Sequence, residues 1–118
     1  MLREREKTVQ ILARRRDKTT IFDVSGDIDF VNSLEVRQSV LREIRDIRTS
    51  RVVVNLGQVR SIDSSGVASL IEGLKASRDF GSRFILIGLS SRAREVLRLT
   101  RLITLFEIYD NEEQASAP

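Results

Sequence analysis

A short apolar run followed directly by a helix-starting motif constrains this chain more than any other feature. In Arg51-Val52-Val53-Val54-Asn55-Leu56 the apolar residues are consecutive and β-branched, the pattern of a strand buried on both faces and therefore central in its sheet. The chain then reads Val59-Arg60-Ser61-Ile62-Asp63-Ser64-Ser65-Gly66-Val67-Ala68-Ser69-Leu70, a strand, a turn and a helix. Asp63, Ser64 and Ser65 place side-chain acceptors where the first free N–H groups of a helix need them, and Gly66 lets the backbone turn closely. In that helix Val67, Leu70, Ile71 and Leu74 follow the i, i+3, i+4, i+7 rule and face inward, which leaves Ala68, Glu72, Lys75 and Ala76 outside.

The flanking segments supply the partners such a strand requires. Residues 8–13 and 19–25 are β-rich and separated by the polar cluster Arg15-Arg16-Asp17-Lys18, which predicts an N-terminal hairpin whose second strand ends at Gly26. Asp27-Ile28-Asp29 leads into a helix capped by Asp29 or Asn32, and Leu34, Val36, Val40, Leu41, Ile44 and Ile47 fall on one arc of it. After the central strand, Phe80-Gly81-Ser82 stops its helix, and residues 83–88 read as another buried strand. Ser90 or Ser91 caps a third helix with Ala93, Val96, Leu97 and Thr100 inward and Arg94, Arg98 and Arg101 outward. Residues 103–109 read as a last strand, and 111–115 as the start of a brief helix before a frayed end at Pro118. The expected fold class is α/β: a mixed β-sheet with an N-terminal hairpin and crossover helices. At 118 residues the chain has the length of one domain, expected to span 1–118 with its core at about 8–109.

Composition narrows the chemistry. There is no cysteine and no histidine, so Ser-His-Asp and Cys-His catalysis, histidine phosphotransfer and ordinary zinc sites are excluded. The six glycines form neither a P-loop nor a dinucleotide fingerprint, and Ser64 does not sit in a nucleophile elbow. No cofactor is expected. Asp27, Asp29 and Asp63 invite a Mg²⁺ reading, but turn and cap roles account for them, and the late lysine of a response-regulator receiver is missing. Twenty basic against seventeen acidic residues leave a net charge of +3, and aromatic residues are only 5%. Arginines gather at 14–16 and at 92, 94, 98 and 101 without an interleaved stacking surface, so direct nucleic acid binding is not expected. With no signal-type run and no membrane-length apolar window, the expectation is a cytoplasmic protein with no membrane insertion.

Four features stand out: Ser25-Gly26-Asp27-Ile28-Asp29, Val52-Val53-Val54-Asn55-Leu56, Ile62-Asp63-Ser64-Ser65-Gly66 and Val96-Leu97-Arg98-Leu99-Thr100-Arg101-Leu102. Together they resemble the STAS domain and, within it, the bacterial anti-sigma factor antagonists. The resemblance spans about residues 8–109; the third feature is the most specific, and the fourth carries Arg101 where the family usually has glycine. It implies a protein that is not an enzyme. Its partners would be an anti-sigma factor that is also a serine kinase, and a PP2C-type phosphatase. It implies that Ser64 is the phosphorylated serine, and that the unphosphorylated form binds the kinase while the phosphorylated form does not. The contact surface would comprise Asp27, Asp29, Asp63, Ser65, Gly66, Ala68, Ser69, Glu72 and Lys75, in a monomer or weak dimer. A phosphate adds about −1.5 to −2 charge, which a helix N-terminus accommodates but a close interface does not. The alternatives are a STAS scaffold subunit of a stress-signalling complex or of an ABC transporter, and an enzyme or small-ligand receptor that uses the helix N-terminus at the 64–66 turn as an anion site.

Overall fold

The computed structural model describes residues 9–116. The readings made for residues 1–8, including the first residue of the opening strand, and for the end at Pro118 lie outside the described residues. The order is β1 (Val9–Arg16), β2 (Thr19–Ile28), α1 (Ser33–Arg42), a π-helical turn (Glu43–Ile47), β3 (Arg51–Ile62), α2 (Ser64–Phe80), β4 (Arg83–Ile87), α3 (Ser91–Leu99), a 3₁₀ turn (Ile103–Leu105), β5 (Glu107–Tyr109) and α4 (Glu112–Ser116). The five strands form one sheet in the order β1-β2-β3-β4-β5. β1 pairs with β2 antiparallel, and the other neighbours are parallel. The expected mixed α/β sheet with hairpin and crossover helices is therefore what the chain forms.

β3 is central, and its valines are buried on alternate faces as strand geometry dictates. Val52 and Val54 join the main core with Val36, Val40, Leu70, Leu74, Ala93 and Leu97 from the three crossover helices. Val53 joins Ile21, Ile85 and Ile87 on the reverse face, under Ala115 of α4.

Several boundaries differ from the sequence-based expectation. Gly26 does not end β2: it takes φ 96° at a register shift, and the strand runs on to Ile28. Its continuation carries β3 six residues past Leu56 as a two-stranded arm in which Asp27 pairs with Ser61 and Ile28 with Ile62. Of the inward arc expected for 34–47, Val36, Val40 and Ile44 are buried; Leu34 is exposed in the first turn of α1, and Ile47 leaves the arc because the α-helix widens to a π-turn at Glu43, which shifts the angular phase. Ala76, expected outside, is buried. Only Glu107–Tyr109 of the expected last strand pairs in the sheet. Arg101 adopts φ 62°, the left-handed conformation that glycine would take at this place, and its turn closes with Leu102 N–H donating to Leu97 O.

Candidate functional site at the start of α2

The β2–β3 arm delivers the chain to the start of α2. Asp63 N–H donates to Ile28 O at 3.2 Å, so the turn is tied to the end of β2. The helix sits so close to this arm that a Cβ on Gly66 would lie 2.5 Å from Ile28 O and 2.6 Å from Ile62 Cγ1. Glycine is required here by close approach, not by a left-handed φ.

Of the three candidate acceptors, Asp63 is the N-cap. Its Oδ1 accepts from Ser65 N–H at 2.9 Å and Gly66 N–H at 3.0 Å. Its Oδ2 accepts from Phe30 N–H at 3.1 Å. Ser65, one of the three candidate acceptors, is not the cap: its own amide donates to Asp63. The carboxylate has two acceptor atoms and reaches two amides of the helix and one of the neighbouring loop at once, which a serine hydroxyl cannot do. Ser64 is the first residue of α2, and it is exposed. The amides of Ser65 and Gly66, which would otherwise greet a phosphate at this helix end, are already taken by Asp63.

The remaining candidates divide into an outward stripe and a packed layer. Ser64, Ala68, Glu72 and Lys75 are all exposed along one side of α2, with Lys75 three turns, or about 16 Å, beyond Ser64. Gly66 and Ser69 are buried; the Ser69 hydroxyl donates to Gly66 O at 2.7 Å, and Ser65 is half-buried. Asp27 faces β3, where it accepts from Arg60 Nη2 at 3.1 Å and from the Ser61 hydroxyl at 3.0 Å. Asp29 folds the loop before α1, its Oδ1 accepting from Val31 N–H at 3.0 Å and Asn32 N–H at 3.2 Å. Asn32 is the N-cap residue of α1, yet its side chain points back, accepting from Asp29 N–H and donating to Asp27 O. These bonds give the acidic residues turn-building and capping work. Among the described residues no three carboxylates converge as a metal cage.

Sequence reasoning missed the most exposed residues of this rim. Phe30 is 81% exposed, Val31 74% and Leu34 52%. Phe30 and Leu34 line, with Ser65, Ala68 and Glu72, an open hollow of about 370 Å³ between α1 and α2. The signal available in the sequence was the run Phe30-Val31 inside a loop otherwise built of polar residues.

A five-stranded mixed sheet with three helices on one face, and a serine exposed at the start of the helix that follows the central strand, define a class of small α/β domain. The STAS domain family model matches residues 10–115, so the chain belongs to the STAS-domain family. It is 28% identical over 106 residues to the anti-sigma-B factor antagonist of Listeria monocytogenes, covering 89% of this chain and 90% of that protein. The fold superposes on an anti-sigma factor antagonist from Mycobacterium paratuberculosis with TM-score 0.81 at 22% identity, over 91% of this chain and 90% of the other. It also matches the anti-sigma factor antagonist SpoIIAA in its unphosphorylated form with TM-score 0.70 at 18% identity, over 89% and 92% of the two chains. No described helix is long and apolar enough to cross a membrane.

Proposed function

We propose that this chain is an anti-sigma factor antagonist that binds a serine-kinase anti-sigma factor when unphosphorylated and is switched off by phosphorylation of Ser64, with a PP2C-type phosphatase resetting it. The observation that carries this reading is the exposure of Ser64 on the first residue of α2, at the head of the outward stripe Ala68, Glu72 and Lys75. Ser64 acts as an acceptor. Its Oγ–H bond is exchanged for an Oγ–P bond to the γ-phosphoryl of ATP, ADP leaves, and the proton passes to the kinase's base or to solvent. The kinase supplies all of this chemistry, since the chain has no histidine or cysteine to activate a nucleophile.

The switch follows from where the charge would stand. The Asp63 carboxylate is one residue away and is fixed by three amides, so it does not yield its place to a phosphate. The phosphate would project outward with about −1.5 to −2 charge, beside a second negative group, onto the surface that meets the partner. Reversing an equilibrium from 99:1 bound to 1:99 requires about 5.5 kcal/mol, within reach of a charge left without a cation in a close interface. The fold tolerates the group, because a helix N-terminus favours negative charge.

Mass spectrometry after incubation with ATP and the cognate kinase tests the acceptor, with phosphate expected on Ser64 and absent from Ser64→Ala. Ser64→Asp should lose kinase binding. Phosphate on another residue, together with unchanged binding by Ser64→Asp, would refute the reading.

A further inference from the structure

Phe30, Val31 and Leu34 are large apolar side chains held out into solvent at one place. They are not loosely presented. Phe30 N–H is bonded to Asp63, Val31 N–H to Asp29, and Leu34 stands in the first turn of α1. A loop whose amides are pinned loses little conformational freedom on binding, so apolar area offered from it converts to affinity more fully than area on a mobile segment. Elsewhere on the surface the exposed apolar residues stand on separate elements: Leu12 on β1, Ile47 in the π-turn, Phe80 at the end of α2, Leu99 on α3 and Leu105 in the 3₁₀ turn.

The surroundings select the occupant. Asp29 and Asp63 hold the amides beneath the apolar group, while Arg37 and Glu72 line its hollow, so three carboxylates stand against one cation. Among the described residues neither Asp29 nor Asp63 forms an ion pair. A second copy related by a twofold axis through this patch would set its net negative charge against an identical one, which like-charge repulsion opposes. An anionic bilayer is opposed for the same reason. A protein pocket with an apolar floor and a cationic mouth satisfies both the exposed side chains and the unpaired carboxylates.

Resting on the reading of Ser64 given above, we propose that Phe30, with Val31 and Leu34 beside it, is the apolar anchor of the complex with the serine-kinase anti-sigma factor, seated in a hydrophobic pocket whose mouth carries arginine or lysine. The anchor and the switch share one support: Asp63 caps the helix that begins with Ser64 and fixes the backbone that presents Phe30. A phosphate on Ser64 would therefore stand at the edge of the anchored interface, and its charge would be felt there without any movement of the loop.

Calorimetric titration of the purified cognate kinase with the unphosphorylated full chain tests this. Phe30→Ser is expected to bind about 30-fold more weakly, and Val31→Ser about fivefold more weakly. Leu99→Ser, an equally accessible apolar site on α3, should bind like the wild type. All three should keep the wild-type circular dichroism, since each side chain is largely in solvent. Wild-type binding with Phe30→Ser within about threefold of it would overturn the anchor and leave the Ser64 reading standing. So would a concentration-dependent dimer of the free chain that Phe30→Ser dissolves while kinase affinity is unchanged. Failure of the wild type to bind the kinase at all would overturn both.

Discussion

Where β2 and β3 begin, Glu43 is 4% exposed and fully engaged: Arg15 donates from Nε at 3.0 Å and Nη2 at 2.6 Å, and the Thr20 hydroxyl donates at 2.9 Å. Thr49 completes this end by donating to Lys18 O. Where the same two strands finish, Asp29 and Asp63 are spent on backbone amides, form no ion pair among the described residues, and stand beside three exposed apolar side chains. The first arrangement matches a buried charge with a cation and a hydroxyl, which is what stability requires of a carboxylate in that position. The second satisfies its carboxylates with amides and no cation, and leaves three large apolar side chains in solvent, an exposure that stability alone gives no reason to bear. One end of the β2–β3 pair holds the domain together, and the other is where the proposed partner would dock.

Substitutions can break or sharpen this contrast. Gly66→Ala should have the largest effect, a loss of about 3 kcal/mol in denaturant unfolding, because its Cβ meets backbone at Ile28 O that cannot move without opening the arm. A near-neutral result would mean that α2 is not clamped to the strands. Glu43→Gln should cost about 2 kcal/mol while leaving partner binding unchanged. The hydrogen bonds from Arg15, and secondarily from Thr20, outweigh burial and hold the Glu43 carboxyl below its ordinary range. A carboxylate depressed in the folded state contributes its stability above the unfolded value and loses it as pH falls through the folded one. Wild-type stability should therefore fall below about pH 4, and Glu43→Gln should show a shallower fall in acid titrations followed by circular dichroism. Asp23 beside Arg14 and Glu107 beside Arg83 are held low in the same sense, so the acid transition keeps part of its slope in the variant. The smallest effects form a pair at the rim: Asp63→Ala should lose about 1 kcal/mol as a lost cap, and Ser64→Ala should stay within about 0.5 kcal/mol. If Ser64→Ala cost as much as Asp63→Ala, the serine would be a structural cap after all.

Much of the architecture was legible because local chemistry and tertiary position agree. Val52-Val53-Val54 reads as a central strand since a short, β-branched apolar run favours a strand buried on both faces, and the helix stop at Gly81 takes φ 76° as its sequence context implies. The four-feature pattern also located Ser64, and its exposure at the head of α2 agrees with a surface role. The π-turn was not legible, because no residue pattern marks one extra residue per turn, and it is what removed Ile47 from the inner arc. Nor was the join between Leu56 and the arm, where Gly57 and Gln58 look like loop residues until a register shift after Asp23 sets Ser25 against Gln58.

The sequence by itself determined the order of strands and helices, the central position of β3 and the chemistry the chain cannot perform, since these depend on periodicity and on which side chains exist. Only the tertiary structure decided that Asp63 rather than a serine caps α2, that Ser69 and Ala76 are buried, and that Phe30 stands exposed on amides held by Asp29 and Asp63. Each of these depends on which groups from distant segments meet, and thirty-three residues separate Phe30 from the carboxylate that holds it.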